Sequence, residues 1–175
     1  MEKNSEKQFK VFNSFAQQTN NNFCWTLDKP ESTMSLGSTL TKKFPDLSIL
    51  LLNGPLGAGK TTLVKGIAKS LKIQEPITSP TFPLSQHYPF GSPPLIHLDL
   101  YRLEESNAAN EFFLQEEEES ICMGALMVVE WPERLSLKIP DAWRGKLEYS
   151  SDKQYRLFQL IPPLDKYNKL FTSSK

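Results

Sequence analysis

The sequence predicts an α/β domain: a mostly parallel β-sheet flanked by helices, with antiparallel strands at the edge. Three observations carry this. Ser48–Leu52, Leu95–Leu100 and Leu126–Glu130 are short apolar runs of the kind expected for strands buried on both faces. Segments with helical spacing stand between them, as in chains whose parallel strands are joined by crossover helices. Near the C-terminus, Gly145–Ser150 and Tyr155–Ile161 alternate around the polar turn Ser151-Asp152-Lys153, a hairpin pattern.

The remaining elements follow in chain order. Residues 1–22 are rich in Asn, Gln, Lys and Ser and are expected to form a disordered extension. Phe23–Leu27 reads as a short strand. Asp28 and Glu31 stand at capping-box spacing around Pro30, and Leu36, Leu40 and Phe44 recur every four residues, which gives a helix from about Lys29 to Phe44. A second helix from about Lys60 to Leu71 carries Leu63, Ile67 and Leu71 on one face. The Pro-rich stretch Glu75–Pro94 is expected to be a long ordered loop with an edge strand around Thr81–Tyr88. Glu104–Ser120 is helix-like, with Glu116–Glu119 read as a solvated face or helix exit. One domain thus spans residues 23–161, and 162–175 form a tail.

With 175 residues the chain is long enough for a substantial core. Its 20 Lys+Arg balance 20 Asp+Glu, so it lacks the basic excess expected of a protein that grips DNA or RNA electrostatically. No run of 18 apolar residues exists and the first 22 residues contain no signal-peptide core, so neither membrane insertion nor secretion is expected. Cys24 and Cys122 make no disulfide framework or zinc knuckle and read as buried thiols of a reducing, cytoplasmic compartment.

The strongest motif is Gly54-Pro55-Leu56-Gly57-Ala58-Gly59-Lys60-Thr61, which satisfies G-x-x-x-x-G-K-[ST] and has an apolar strand before it and a helix after it. The glycines let several backbone N–H groups close on phosphate oxygens, and the following helix aims its free N–H groups at the same place. Lys60 supplies a charge for the β- and γ-phosphates, and the Thr61 hydroxyl can ligate Mg²⁺. Two acids close apolar strands, Asp99 and Glu130. Ligands of such sheets bind at the C-terminal strand ends, so one acid can serve the metal and the other the attacking water. The fold class is therefore P-loop NTPase-like.

Four segments together, Gly54–Thr62, Ser79-Pro80-Thr81-Phe82, Leu98-Asp99-Leu100-Tyr101-Arg102-Leu103 and Glu130-Trp131-Pro132-Glu133, come in the order and spacing of the TsaE family (formerly YjeE), and the resemblance covers about Phe23 to Ile161. It implies a bacterial Mg²⁺-dependent ATPase needed to make threonylcarbamoyladenosine beside the tRNA anticodon. Such a subunit works with TsaB-like and TsaD-like proteins: the TsaD-like protein transfers the threonylcarbamoyl group, and ATP turnover resets the complex. tRNA is then met only through the complex. By the same resemblance Lys60, Thr61 and Thr62 hold phosphate and metal, Thr81 is a switch-like threonine that senses the γ-phosphate, Asp99 is a Walker B-like acid, and Glu130 is tied to Mg²⁺ and hydrolysis. Trp131 matches the family's tryptophan but equally suits a core or interface aromatic. Arg102 either positions the switch segment or pairs with an acid. His87 and His97 match nothing catalytic and read as structural.

The chief alternative is a small-molecule kinase on the same loop. It would need a lid with several arginines, and after the third apolar strand the chain offers Arg134 and Arg144. A GTP-dependent switch lacks its Asn-Lys-x-Asp base-reading segment. A nucleotide-gated binding module that turns over only with its partners is not separated from the ATPase by sequence.

Overall fold

The computed structural model describes residues 23–166. The extension expected over 1–22 and the last part of the expected tail, 167–175, lie outside the described residues. Seven strands form one sheet: β1 (Phe23–Leu27), β2 (Ile49–Asn53), β3 (Ser85–Tyr88), β4 (Leu95–Asp99), β5 (Leu126–Glu130), β6 (Trp143–Tyr149) and β7 (Arg156–Ile161). Their spatial order is β1-β7-β6-β2-β5-β4-β3. The four central strands β6, β2, β5 and β4 run parallel, and β7 and β3 pair antiparallel to their neighbours towards the two edges. The predicted hairpin forms as β6 and β7, but β6 joins the parallel block beside β2, so β1 closes that edge.

Helices cover both faces. α1 (Pro30–Lys43) and α2 (Lys60–Ser70) lie on one side, and α3 (Ser106–Met123) packs on the other. The side-chain alternation of β2 explains its continuous apolar run: Leu50 and Leu52 enter the core under α1 and α2, while Ile49 and Leu51 enter the core under α3. Each such side chain contributes about 1.5–3 kcal/mol on burial. α1 and α2 cross at two glycines, because a Cβ at Gly37 would stand 2.2 Å from the Leu63 carbonyl oxygen and one at Gly66 would stand 2.0 Å from that of Met34. Ser38 Oγ donates to the Gly66 carbonyl at 2.7 Å across this contact.

The capping box does not form. Lys29, with extended φ and ψ, is the N-cap residue of α1, Pro30 opens the first turn, and Asp28 Oδ1 accepts the Ser32 hydroxyl instead. Proline fits there because its missing N–H would have had no intrahelical partner. The edge strand expected around 81–88 shrinks to Ser85–Tyr88. Pro80 and Pro83 cannot donate to a ladder, and Leu84 N–H closes a turn on the Pro80 carbonyl at 2.7 Å.

The acidic run also differs from expectation: it lies inside α3, and Glu116 turns inward. Its Oε2 meets His87 Nε2 at 2.6 Å and accepts the Ser85 hydroxyl at 3.0 Å, which ties α3 to β3 and gives His87 its structural partner. The cysteines are not both buried, since Cys122 is exposed on α3 and Cys24 is half-buried. After β7, Pro162 and Pro163 are buried and the Lys166 ammonium sits 2.9 Å from Asp46 Oδ2. Among the described residues no helix is long and apolar enough to cross a membrane.

Candidate functional site

Because β2, β5 and β4 are parallel, their C-terminal residues Asn53, Glu130 and Asp99 emerge on one edge. Asp99 and Glu130 are register partners, so their side chains leave the same face of the sheet about 5 Å apart at the backbone. The Gly54–Gly59 loop leaves β2 beside them and enters α2. Gly54 and Gly59 have φ of 149° and 104°, and a Cβ at Gly54 would stand 2.4 Å from the Leu147 carbonyl oxygen. These angles belong to glycine, and they let the loop curl over the first turn of α2. Within it Pro55 and Leu56 are exposed, Ala58 is buried, and Tyr149 donates its hydroxyl to the Leu56 carbonyl at 3.1 Å.

Lys60 is 4% exposed and folds back on the loop, where its Nζ donates to the Gly54 carbonyl at 2.7 Å and to that of Pro55 at 3.2 Å. It also lies 4.0 Å from the centre of the Trp131 ring, which in turn packs on Tyr101. Desolvation lowers the Lys60 pKa below 10.5, and the charges of Glu130, Glu133 and Asp99 oppose that shift. Trp131 therefore resolves as a wall of the site, held at a left-handed φ of 61° between β5 and the following turn.

The two acids have separate hydrogen-bonding environments. Glu130, 3% exposed, accepts the Thr61 hydroxyl on Oε1 at 2.8 Å, and His97 Nε2 lies 3.0 Å from the same oxygen. Asp99, 2% exposed, accepts both the Ser79 and Thr81 hydroxyls on Oδ2, at 2.6 and 2.7 Å, and the Tyr101 N–H on Oδ1 at 3.1 Å. Arg102 stacks over the ring of Phe82, 4.1 Å from its centre, and so steadies the segment that carries Thr81. The motif thus brings Lys60, Thr61, Glu130 and Asp99 to one strand edge, with Thr81 latched to Asp99.

On the other side of the loop, Gly57, Ala58, Gly59 and Thr62 border a cleft of about 360 Å³. Its far walls are the β1–α1 junction from Leu27 to Pro30 with Thr33, and Lys153, Gln154 and Arg156 of the β6–β7 hairpin. Sequence reasoning missed these residues and also missed the His97 contact. The cleft joins three segments far apart in the chain, and the polar hairpin turn was the only local signal.

The donor set suits a small hard cation. Thr61, Glu130 and Asp99 present oxygen atoms, the ligand type Mg²⁺ prefers. Among the described residues no group of three or more His, Cys, Asp or Glu side chains is placed to hold a metal alone.

Comparison with known proteins bears on the family and the fold. The family model described as "Threonylcarbamoyl adenosine biosynthesis protein TsaE" matches residues 27–157. The chain is 41% identical over 135 residues to the tRNA threonylcarbamoyladenosine biosynthesis protein TsaE of Nostoc sp. PCC 7120, covering 75% of this chain and 81% of that protein. It is 42% identical over 122 residues to the protein of the same name from Mycobacterium bovis, covering 65% and 71%. Among solved structures, the crystal structure of Bacillus subtilis YdiB superposes with a TM-score of 0.62 at 26% identity, covering 88% of this chain and 94% of that one.

Proposed function

The chain belongs to the TsaE family, and from that premise we propose that it serves tRNA threonylcarbamoyladenosine biosynthesis as a cytoplasmic, Mg²⁺-dependent ATPase that resets a TsaB–TsaD-like complex between cycles. One observation carries the nucleotide reading: a glycine loop between β2 and α2 sets Lys60 and Thr61 against the strand-end acid Glu130.

The residues divide the work by position. Backbone N–H groups of Gly57–Thr62 and the N-terminal turn of α2 receive the phosphates. Lys60 exchanges its two carbonyl acceptors for phosphate oxygens, whose negative charge offsets the desolvation that depresses its pKa. Thr61 and Glu130 would hold the metal, with Asp99 beside them. Bound there, Mg²⁺ would neutralise phosphate charge and orient the terminal phosphoryl group. Glu130 would also orient the water that attacks that group. Ser79 and Thr81, held on Asp99, put the switch segment next to the same place, so that the γ-phosphate and Asp99 compete for the Thr81 hydroxyl. The cleft bordered by Thr62 receives the nucleoside end. tRNA is met through the partners, in keeping with the balanced charge of the chain.

The test is affinity capture of TsaB-like and TsaD-like proteins on the full chain, with and without ATP and Mg²⁺. Recovery of the pair that changes with ATP supports the reading. Absence of the pair, together with ATP-dependent appearance of a phosphorylated metabolite, contradicts it and favours the kinase.

A further inference from the structure

We infer that His97 is a positioning residue for Glu130, fixing the carboxyl group that the nucleotide's divalent cation requires. The inference rests on the nucleotide reading of the site and concerns a residue that reading does not use. His97 sits in the middle of β4, fully buried, in a strand whose neighbours Leu95, Ile96 and Leu98 are also fully buried. An imidazole in such a place is costly for each polar group left unpaired, so its one contact with Glu130 is what offsets its burial. Its Nδ1 has no hydrogen-bond partner, and its Nε2 meets Glu130 Oε1. The polar function of this side chain is therefore directed at one atom of the site.

The topology makes the contact specific. His97 pairs in register with Val128, two residues before Glu130, so it shares the Glu130 face of the sheet and reaches that carboxyl diagonally from the next strand. A carboxylate that is to hold a cation accepts hydrogen bonds, which puts the imidazole proton on Nε2 and leaves only a lone pair unpaired at Nδ1. Oε1 then takes two donors from opposite sides, the Thr61 hydroxyl from α2 and the His97 N–H from β4. With Oε1 pinned, the rotation of the carboxyl group is set, and Oε2 is the oxygen left to face a ligand. A second donor of this kind orients a metal-holding carboxylate.

The test is binding of a fluorescent ATP analogue to the full chain, in excess Mg²⁺ and in EDTA, the readout being the ratio of the two dissociation constants. His97→Leu is expected to shrink the gain from Mg²⁺ by about tenfold or more while the EDTA affinity stays within about twofold. Damage to the core alone would weaken both affinities together and leave the ratio unchanged. His97→Gln, whose amide nitrogen reaches the Nε2 position, should keep the wild-type ratio, and His97→Asn, whose amide reaches only the Nδ1 position, should lose it. The Gln and Asn pair decides the matter even if the Leu variant fails to fold. A wild-type ratio in His97→Leu, equal behaviour of Gln and Asn, or a wild-type chain indifferent to Mg²⁺ overturns the inference. A wild-type chain that binds no analogue in either condition contradicts the nucleotide reading itself.

Discussion

On the β1–β7–β6 side of the sheet, aromatic rings fill the core. Phe44 packs 4.7 Å from Trp143 and 5.1 Å from Phe23, and Trp25 lies 5.7 Å from Phe158. On the β2–β5–β4 side, Asp99 and Glu130 at the strand ends, His97 within β4 and Lys60 at the start of α2 are buried. Both regions are largely buried, yet they are stabilised differently. The aromatic side gains from area removed from water, with a further contribution from ring geometry. The charged side must offset desolvation with specific partners, and several of these, the loop carbonyls on Lys60 and the hydroxyls on Asp99 among them, are groups a phosphate or a metal can replace. The contrast teaches where the molecule keeps stability and where it keeps reactivity.

Truncating the aromatic side is expected to have the largest effect. Phe44→Ala should lower the unfolding free energy by about 3–5 kcal/mol in urea denaturation, with ATP affinity unchanged below the transition. A parallel fall in affinity would show that the two sides are not independent. On the charged side, Glu130→Gln should reduce ATP turnover about 100-fold or more in the presence of the partner pair, while affinity measured in EDTA is retained. Its amide oxygen can still accept from Thr61 and His97, but the amide nitrogen can neither hold a cation nor take a proton. Normal turnover in this variant would remove Glu130 from its role.

The smallest effect is a proton. In the ligand-free chain, desolvation holds the Lys60 pKa below 10.5, so between that depressed value and 10.5 the folded state carries fewer protons than the unfolded one, and this group's contribution to stability rises with pH. Polyphosphate drawn up to the ammonium raises its pKa again. ATP binding in that alkaline window should therefore take up a fraction of one proton, and affinity should weaken as pH rises. Calorimetry in two buffers of different ionisation enthalpy measures this, and release of protons would contradict the placement of Lys60.

The sequence made the loop and its two acids legible for a local reason. A phosphate cradle needs glycine at fixed offsets, and an acid ending an apolar run stands out by itself. The elements around them were legible through period, as in the Leu36-Leu40-Phe44 stripe, all of it buried. What escaped was decided by tertiary contact. Asp28 was free to take Ser32 rather than cap the helix, Glu116 left its acidic run for His87, and His97 looked like any polar residue in a strand until β5 brought Glu130 beside it. The cleft beside Thr62 was likewise assembled from junctions that carry no shared local pattern.

The account stands most directly on whether a nucleoside triphosphate binds at Lys60. Equilibrium titration of the full chain with ATP and Mg²⁺, side by side with Lys60→Ala, measures it. The expected result is a single saturable site in the wild type and an affinity at least about 30-fold weaker in the variant; equal affinity in a variant that remains folded would contradict it.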